Sequence, residues 1–345
     1  MTPGDVASIV ERVTGECPKG VSLLNGVGNN VVAKVDLSAG ARVAKIYFRH
    51  PDDPRDRLGT EFKMLTFLWE TGVHRVPQPF GMFREESLGL YEYIDGIPLT
   101  PADISWAEVE QLITFLEDLY NRKDRPEAQR LPTASDYAPS LAEYWVNVSR
   151  RFRRLQQEID PRMDPVAADF INGPLSWAYE ALENFLKNQA KSGFTIDKVL
   201  DPAQLTLSPA DHGFQNTLRR EGHLVFLDFE YAGWDDPAQM IANSCLHPAV
   251  PMPLDLHPRF VREMSQRLTG TSDGLRRLRL IYPMLALKWC LILLNEFLKV
   301  EGERRIFAGV DVGERKMLQI DKSKRQWEVL AASIEKGFFL DHMLG

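Results

Sequence analysis

Apolar positions recur at strand-like intervals through the first hundred residues and at helical intervals through most of the rest. Val21-Ser22-Leu23-Leu24, Val31-Val32-Ala33-Lys34-Val35 and Arg42-Val43-Ala44-Lys45-Ile46-Tyr47 are β-rich runs. They are separated by Asn25-Gly26-Val27-Gly28-Asn29-Asn30 and by a turn over 36–40. The pattern predicts strand, glycine turn, strand, turn, strand. Leu58, Phe62, Leu65, Leu68 and Trp69 fall at helical spacing and predict a helix over 54–71, which Gly72 stops. Strand character returns over 76–93 and ends in Leu88-Gly89-Leu90-Tyr91-Glu92-Tyr93. Helical spacing then marks 105–121, 140–158, 164–190, 237–246, 258–268, 276–300 and 322–342, with one strand-rich interruption from Leu205 to Asp228. The expected fold is α+β and bilobed: a small β-rich N-terminal lobe, residues 1–95, and a larger, mainly helical C-terminal lobe, residues 96–345. The division falls at Asp95-Gly96.

The chain has 345 residues, enough for two domains or one bilobed unit. Its 41 basic and 48 acidic residues leave a net charge of −7, which argues against nucleic acid as a partner, since phosphate binding wants a basic surface. The three cysteines, Cys17, Cys245 and Cys290, form no C-x-x-C pair, so no disulfide framework or zinc site is expected. A reducing, cytoplasmic setting follows. The N-terminus lacks the basic and apolar regions of a signal peptide. Leu278–Leu298 is long enough to span a bilayer but carries Arg279, Pro283, Lys288, Asn295 and Glu296. Charges at that depth are costly, so a buried core helix is expected and no membrane partner.

Three constellations carry chemistry. In the first, the glycine turn with Gly26, Gly28 and Asn30 could bring backbone N–H groups close to a phosphate. It is neither a dinucleotide fingerprint nor a P-loop, and many such turns are only hairpins. Lys45 follows it inside an apolar strand, where an edge lysine facing solvent is the plain alternative. In the second, Glu61 shares the helix face of Leu58, Leu65 and Leu68, where a carboxylate needs a cation; Lys45 is the candidate, and a snorkelling surface glutamate the alternative. In the third, Asp211 and Asn216 sit in a loop between apolar runs, and Asp228 closes the hydrophobic run Leu224-Val225-Phe226-Leu227. Two carboxylates and an amide at the ends of β elements suit a Mg²⁺ site with one acid left as a base.

With these motifs in place, the chain resembles the aminoglycoside phosphotransferase and choline kinase family, small-molecule kinases with a bilobed protein-kinase-like fold. Asp211-x-x-x-x-Asn216 is similar to that family's catalytic loop, and Asp228-Phe229-Glu230 to its metal-binding segment. Tyr231-Ala232-Gly233-Trp234-Asp235-Asp236-Pro237 is similar to the tail that follows. Leu90 to Gly96 looks like the hinge that holds adenine. The likeness runs from about residue 21 to 245. It implies an ATP- and Mg²⁺-dependent phosphotransferase acting on a hydroxyl of a small molecule. Asp211 would take the acceptor proton, Asn216 and Asp228 would hold Mg²⁺, and Lys45, held by Glu61, would contact the α/β-phosphates. The backbone around Gly26, Gly28 and Asn30 would cover the phosphates, and Glu92, Tyr93 and Ile94 would frame the base. One departure stands out: Pro209-Ala210 occupies the place of the family's His-Gly.

Two rivals are a catalytically inactive nucleotide-binding module and a kinase-fold protein acting on a protein partner. Lys45, Asp211, Asn216 and Asp228 are all present, which argues against the first. No Ala-Pro-Glu follows Asp228, and the stretch to Pro237 is too short for an activation loop, which argues against the second. His212 reads as a loop side chain, and the run Arg150-Arg151-Phe152-Arg153-Arg154 as a solvated or acid-paired helix face. Lys288 and Asn295, seven apart, would share a helix face, either lining an acceptor pocket or edging the core. Residues 235–345 hold sixteen basic and fourteen acidic residues, a balance of 16 − 14 = +2. That balance favours a neutral or anionic acceptor, such as a sugar or sugar derivative, over a polycation.

Overall fold

The computed structural model describes residues 1–24, 30–51, 53–191, 195–268, 272–308 and 312–336. The N-terminal lobe begins with helix α1, Pro3–Thr14, which the apolar spacing does not anticipate. Its signal lies in its first turn: Thr2 caps the helix in a reciprocal box with Asp5, and Pro3 takes the first position. There follow β1 (Gly20–Leu23), β2 (Val31–Leu37), β3 (Gly40–Ile46), α2 (Arg57–Glu70), β4 (Pro79–Phe83) and β5 (Leu88–Glu92). The strands form one antiparallel sheet in the order β1-β2-β3-β5-β4. Lys45 faces Val32 of β2 and Gly89 of β5, so it lies on a central strand and the edge-strand alternative fails.

One face of this sheet packs on α1. Val6 and Val10 are fully buried there with Val31, Ala33, Val35, Ala44 and Leu90. Burial of each valine or leucine among them contributes roughly 1.5–3 kcal/mol. The other side is covered by α2, whose Met64, Leu65 and Leu68 join the core that continues into the C-terminal lobe.

That lobe holds β6 (Ile97–Pro98), α3 (Trp106–Tyr120), α4 (Leu141–Glu158), α5 (Pro165–Asn172), α6 (Pro174–Lys191), β7 (Thr206–Ser208), β8 (Thr217–Arg220), β9 (His223–Phe226), β10 (Gly233–Asp235), α7 (Pro237–Leu246), α8 (His257–Leu268), α9 (Ser272–Leu293), α10 (Lys299–Phe307) and α11 (Val312–Glu335). Asp95-Gly96 lies between the last strand of the first sheet and β6, which pairs with β8 in a second sheet, β6-β8-β9. β7 and β10 form a third. β8 and β9 are joined by a two-residue turn in which both Glu221 and Gly222 have positive φ, the geometry that matches strand twist.

Three expected helices differ in extent. The helix expected over 164–190 breaks at Gly173-Pro174, because proline has no N–H to continue the ladder and disfavours helical backbone just before it. The one expected over 276–300 ends at Leu293, tightens to a 3₁₀ turn over Leu294–Phe297 and restarts as α10. Asn295 therefore lies in that turn, and the seven-residue register with Lys288 does not apply. The last helix starts at Val312, well before 322, and residues 337–342 of the expected range lie outside the described residues. The apolar helical stretch Gly274–Phe297 is long enough to cross a bilayer, but 78% of its most apolar window is buried, packed among α4, α7 and α11.

Candidate active site

The site forms where the central strands of the first sheet meet the loops around β7, β8 and β9. Lys45 leaves β3 toward α2, and its Nζ lies 2.6 Å from Glu61 Oε2 and 2.7 Å from Asp228 Oδ1. Lys45 and Glu61 are both almost fully buried, so the snorkelling-glutamate alternative fails. Glu230 Oε2 lies 3.7 Å from the same ammonium. Burial alone would lower the lysine's pKa, but Asp228, Glu61 and Glu230 together raise it well above the ordinary range. The ammonium is therefore permanently charged.

A chain of phenols supports Glu61. Tyr47 Oη donates to Glu61 Oε2 at 2.6 Å and lies 2.8 Å from Tyr91 Oη. Both tyrosines are buried, and burial, with the Glu61 charge, pushes both phenols upward. The strand alternation that points Lys45 inward points Tyr47, two residues on, the same way. Tyr47 was legible in that sense, but it was not singled out.

Asp228 follows β9 with φ of 67°, a left-handed conformation that a non-glycine residue adopts at a cost. The preceding Leu227 N–H donates to Asn216 O at 2.8 Å, tying this segment to the catalytic-loop candidate. Asp228, Glu230 and Glu61 place carboxylate oxygens within 4.8 Å of one another. Burial, and the charges of Glu230 and Glu61, push the Asp228 carboxyl up to about 7 despite Lys45. Three acids against one ammonium leave room for a further cation, and the set is chemically suited to a hard divalent ion. Glu230 is 1% exposed and accepts from Asn30 Nδ2 at 2.6 Å. Its spacing two residues after Asp228 is the signal that could have marked it as a site residue.

Asp211 sits in the loop between β7 and β8. Asn216 Nδ2 donates to Asp211 O at 2.9 Å, which fixes the loop and leaves the amide oxygen for another partner. Asp211 Oδ1 lies 2.8 Å from His247 Nε2 and 3.3 Å from Gln215 Nε2. Burial pushes its carboxyl up, but the His247 hydrogen bond, helped by His212 and Asn216, outweighs this and holds it below the ordinary range. It is ionised at neutral pH, the form in which a carboxylate can accept a proton. His212 is buried, with Nε2 2.7 Å from Ser244 Oγ and 3.2 Å from Met240 O, and burial lowers it to about 4. It is a structural side chain of the loop.

Pro209-Ala210 forms the entry to this loop. Ala210 has φ of 64°, and its carbonyl accepts from Asn243 Nδ2 of α7. Trp289 Nε1 of α9 in turn donates to Asn243 Oδ1 at 2.9 Å. The segment after Asp228 also has visible work. Trp234 Nε1 donates to Ala128 O, Asp236 caps α7 and pairs with Arg277, and Pro237 takes the first helical position. Burial, then the Asp236 charge, push the neighbouring Asp235 up to about 8.

The hinge candidates run from the last residue of β5. Glu92 Oε1 lies 3.0 Å from Arg220 Nη1, Tyr93 lies beneath Lys34 Nζ, and Ile94 is buried. Gly26 and Gly28 lie outside the described residues. Asn30, besides holding Glu230, accepts the Phe48 N–H at 3.2 Å.

On the helical side, Lys288 is buried and its Nζ lies 3.1 Å from Asp136 Oδ2, with Arg151 at 3.9 Å from the other oxygen. Lys288, with Arg151 in support, outweighs burial and holds Asp136 down to about 2. In the basic run on α4, Arg154 pairs with Glu158 and Arg151 lies against Asp136, while Arg150 donates to Asn147.

A model of the phosphotransferase enzyme family matches residues 20–281. Several solved structures share the fold. A spectinomycin phosphotransferase, solved with ADP and spectinomycin, aligns with a TM-score of 0.65 at 12% identity, covering 97% of this chain and 99% of that one. A choline kinase of Streptococcus pneumoniae gives 0.60 at 15%, covering 94% and 98%. A choline/ethanolamine kinase family protein of Mesorhizobium loti gives 0.57 at 14%, covering 98% and 100%. No curated protein sequence matches the chain.

Proposed function

The chain belongs to the phosphotransferase enzyme family, and we propose that it transfers the γ-phosphoryl group of ATP, with Mg²⁺, to a hydroxyl of a small molecule of the sugar or sugar-derivative class. The observation that carries this reading is the buried Lys45 ammonium held between Glu61 and Asp228, on the segment whose backbone is bonded to the Asp211–Asn216 loop.

Asp211 is the base. It orients the acceptor hydroxyl and takes its proton as the new O–P bond forms and the bond from the γ-phosphorus to the leaving ADP oxygen breaks. Lys45 contacts the α/β-phosphates, and Glu61, backed by Tyr47, keeps it there. Asp228 and Asn216 would hold the metal, with Glu230 beside them. Magnesium, when bound, neutralises charge on the phosphate oxygens. The backbone at Gly26, Gly28 and Asn30 covers the phosphates, and the backbone of Tyr93 and Ile94, with Glu92 bracing the hinge, receives the adenine. ADP in the spectinomycin phosphotransferase complex supports ATP as the co-substrate.

Several cations of the segment whose charge favoured a neutral or anionic acceptor are taken up in ion pairs within the protein. Arg277 pairs with Asp236, Arg304 with Asp53 and Glu301, Arg305 with Glu296, and Lys288 with Asp136. What supports a neutral polyhydroxylated acceptor is instead the mixed polarity around Asp136, whose half-exposed carboxylate lies beside two cations. Trp289, the next residue of α9 after Lys288, braces the catalytic loop through Asn243. An ATP-consumption screen across sugars, amino alcohols, nucleosides and aminoglycosides tests the reading. Turnover of a sugar-class acceptor is expected. Kanamycin-like polycations phosphorylated far faster than every neutral or acidic acceptor would overturn the acceptor class.

A further inference from the structure

We infer that His247 is a positioning residue for the transfer: its imidazole N–H holds one oxygen of the Asp211 carboxylate and turns the other toward the acceptor. The inference rests on the reading of Asp211 as the base.

The ring is oriented from three sides. His247 follows the last residue of α7, and its own N–H donates to Asn243 O, closing that helix. Its Nδ1 lies 3.3 Å from the Ala249 backbone N–H, which can only donate. Nδ1 is therefore the acceptor, and in the neutral ring the proton sits on Nε2. Nε2 is 2.8 Å from Asp211 Oδ1, so the tautomer set by Ala249 is the one that donates to the carboxylate.

Packing holds the ring in that pose. Trp289 meets it edge-on, with centroids 4.4 Å apart and planes at 69°. On another side lies the backbone of Gly213, where an added Cβ would stand 2.5 Å from His247 Cγ and 2.0 Å from Gln215 Oε1. Glycine is the residue that lets the catalytic loop lie against the imidazole. Gln215 Nε2 lies 3.3 Å from the same Oδ1 and 3.0 Å from His247 Nε2, so its amide packs against both members of the pair. His247 is 6% exposed, whereas the Asp211 side chain keeps 31% exposure. The side of Asp211 that reaches the cleft is thus the side away from His247. Carboxylate rotation about χ2 is otherwise soft, and a base must meet its proton at hydrogen-bond distance.

The same helices hold the loop twice. Asn243 of α7 grips Ala210 O, one residue before Asp211, and Trp289 of α9 touches both Asn243 and His247. The backbone and the carboxylate of the base are therefore indexed to one pair of packed helices.

The test reads ADP release from Mg·ATP with water as the acceptor, in the full chain. His247→Leu removes the donor and is expected to lower kcat by about 10–100-fold, the scale of a misplaced catalytic group, with KM for ATP unchanged. His247→Gln places an amide N–H near the position of Nε2 and is expected to restore most of the loss. Should His247→Leu not fold, the tautomer of the parent decides: ¹⁵N spectra of the imidazole are expected to show the proton on Nε2. A proton on Nδ1, parental kcat in a folded His247→Leu, or a folded His247→Gln as slow as His247→Leu would overturn the inference. Asp211→Asn runs in parallel. If it turns over like the parent, the base assignment itself has failed; if it is slow while His247→Leu is not, only the positioning role has failed.

Discussion

Asn30 Nδ2 donates to Glu230 Oε2 at 2.6 Å, joining two residues 200 positions apart in the chain. The same amide accepts the Phe48 N–H, so one side chain ties the starts of two N-lobe segments to the acid beside Asp228. Asn30→Ala leaves Glu230, which is 1% exposed, short of a donor. A loss of about 1–3 kcal/mol in stability is expected, the cost of an unsatisfied buried polar group, together with a raised KM for ATP. Parental melting temperature and parental KM would refute the coupling.

Asp211→Asn should keep nucleotide binding and lose about 10²–10⁴ in kcat, the usual contribution of a positioned base. Calorimetric ATP titration alongside turnover separates the two quantities. Unchanged turnover would remove Asp211 from the base role.

Asp228→Ala should abolish Mg²⁺-dependent ATP binding, and Asn216→Ala should weaken it less, because a neutral amide binds a hard cation less strongly than a carboxylate. With its carboxyl pushed up to about 7, Asp228 carries a proton at lower pH that a cation must displace. Apparent Mg²⁺ affinity should therefore rise with pH through that value. A pH-independent affinity, or an Asp228→Ala variant that binds Mg·ATP as the parent does, would move the metal elsewhere.

Glu61→Ala leaves Lys45 buried with Asp228 as its close partner and strips Tyr47 of its acceptor. Breaking a buried pair on one side costs about 3–5 kcal/mol, and the remaining Asp228 contact argues for the low end. Thermal melting and KM for ATP should both worsen; a variant matching the parent in both would sink the pairing.

His257 makes stability depend on pH on the acid side. It is buried, with Nε2 on Met252 O and Nδ1 on Tyr282 Oη, and burial lowers it to about 4. The unfolded imidazole titrates near about 6.5, so between those values the unfolded chain binds a proton that the folded one refuses. Its contribution costs nothing above about 6.5 and grows to about 3 kcal/mol as pH falls toward 4. His257→Gln should flatten that limb in denaturant midpoints measured from pH 7 down to 4. An identical slope in variant and parent would show that the ring is protonated in the fold.

The chemistry-bearing residues were legible where local sequence constrains them. Asp211 and Asn216 stand in a loop between apolar runs, and Asp228 ends one, so polar groups out of pattern marked them. Lys45 and Glu61 were each polar on an apolar face, which demanded partners within reach. Tyr47, Gln215 and His247 carry no such contrast, and Glu230 shows only in its spacing two residues after Asp228. His247 follows an ordinary helix, and nothing within ten residues of it hints at Asp211, 36 positions earlier.

Alternation, helical spacing and turn residues thus determined the two lobes and most of their elements, and marked the acids and the lysine as candidates, because those signals are read from neighbours a few residues apart. The tertiary structure alone decided that β3 is central, that Lys45 meets Asp228 as well as Glu61, that several C-terminal cations are taken up in ion pairs, and that His247 meets Asp211. Strand order, the pairing of buried charges and hydrogen bonds between distant loops depend on which segments the core brings together. That is a property of the packed whole, which no local window of the chain contains.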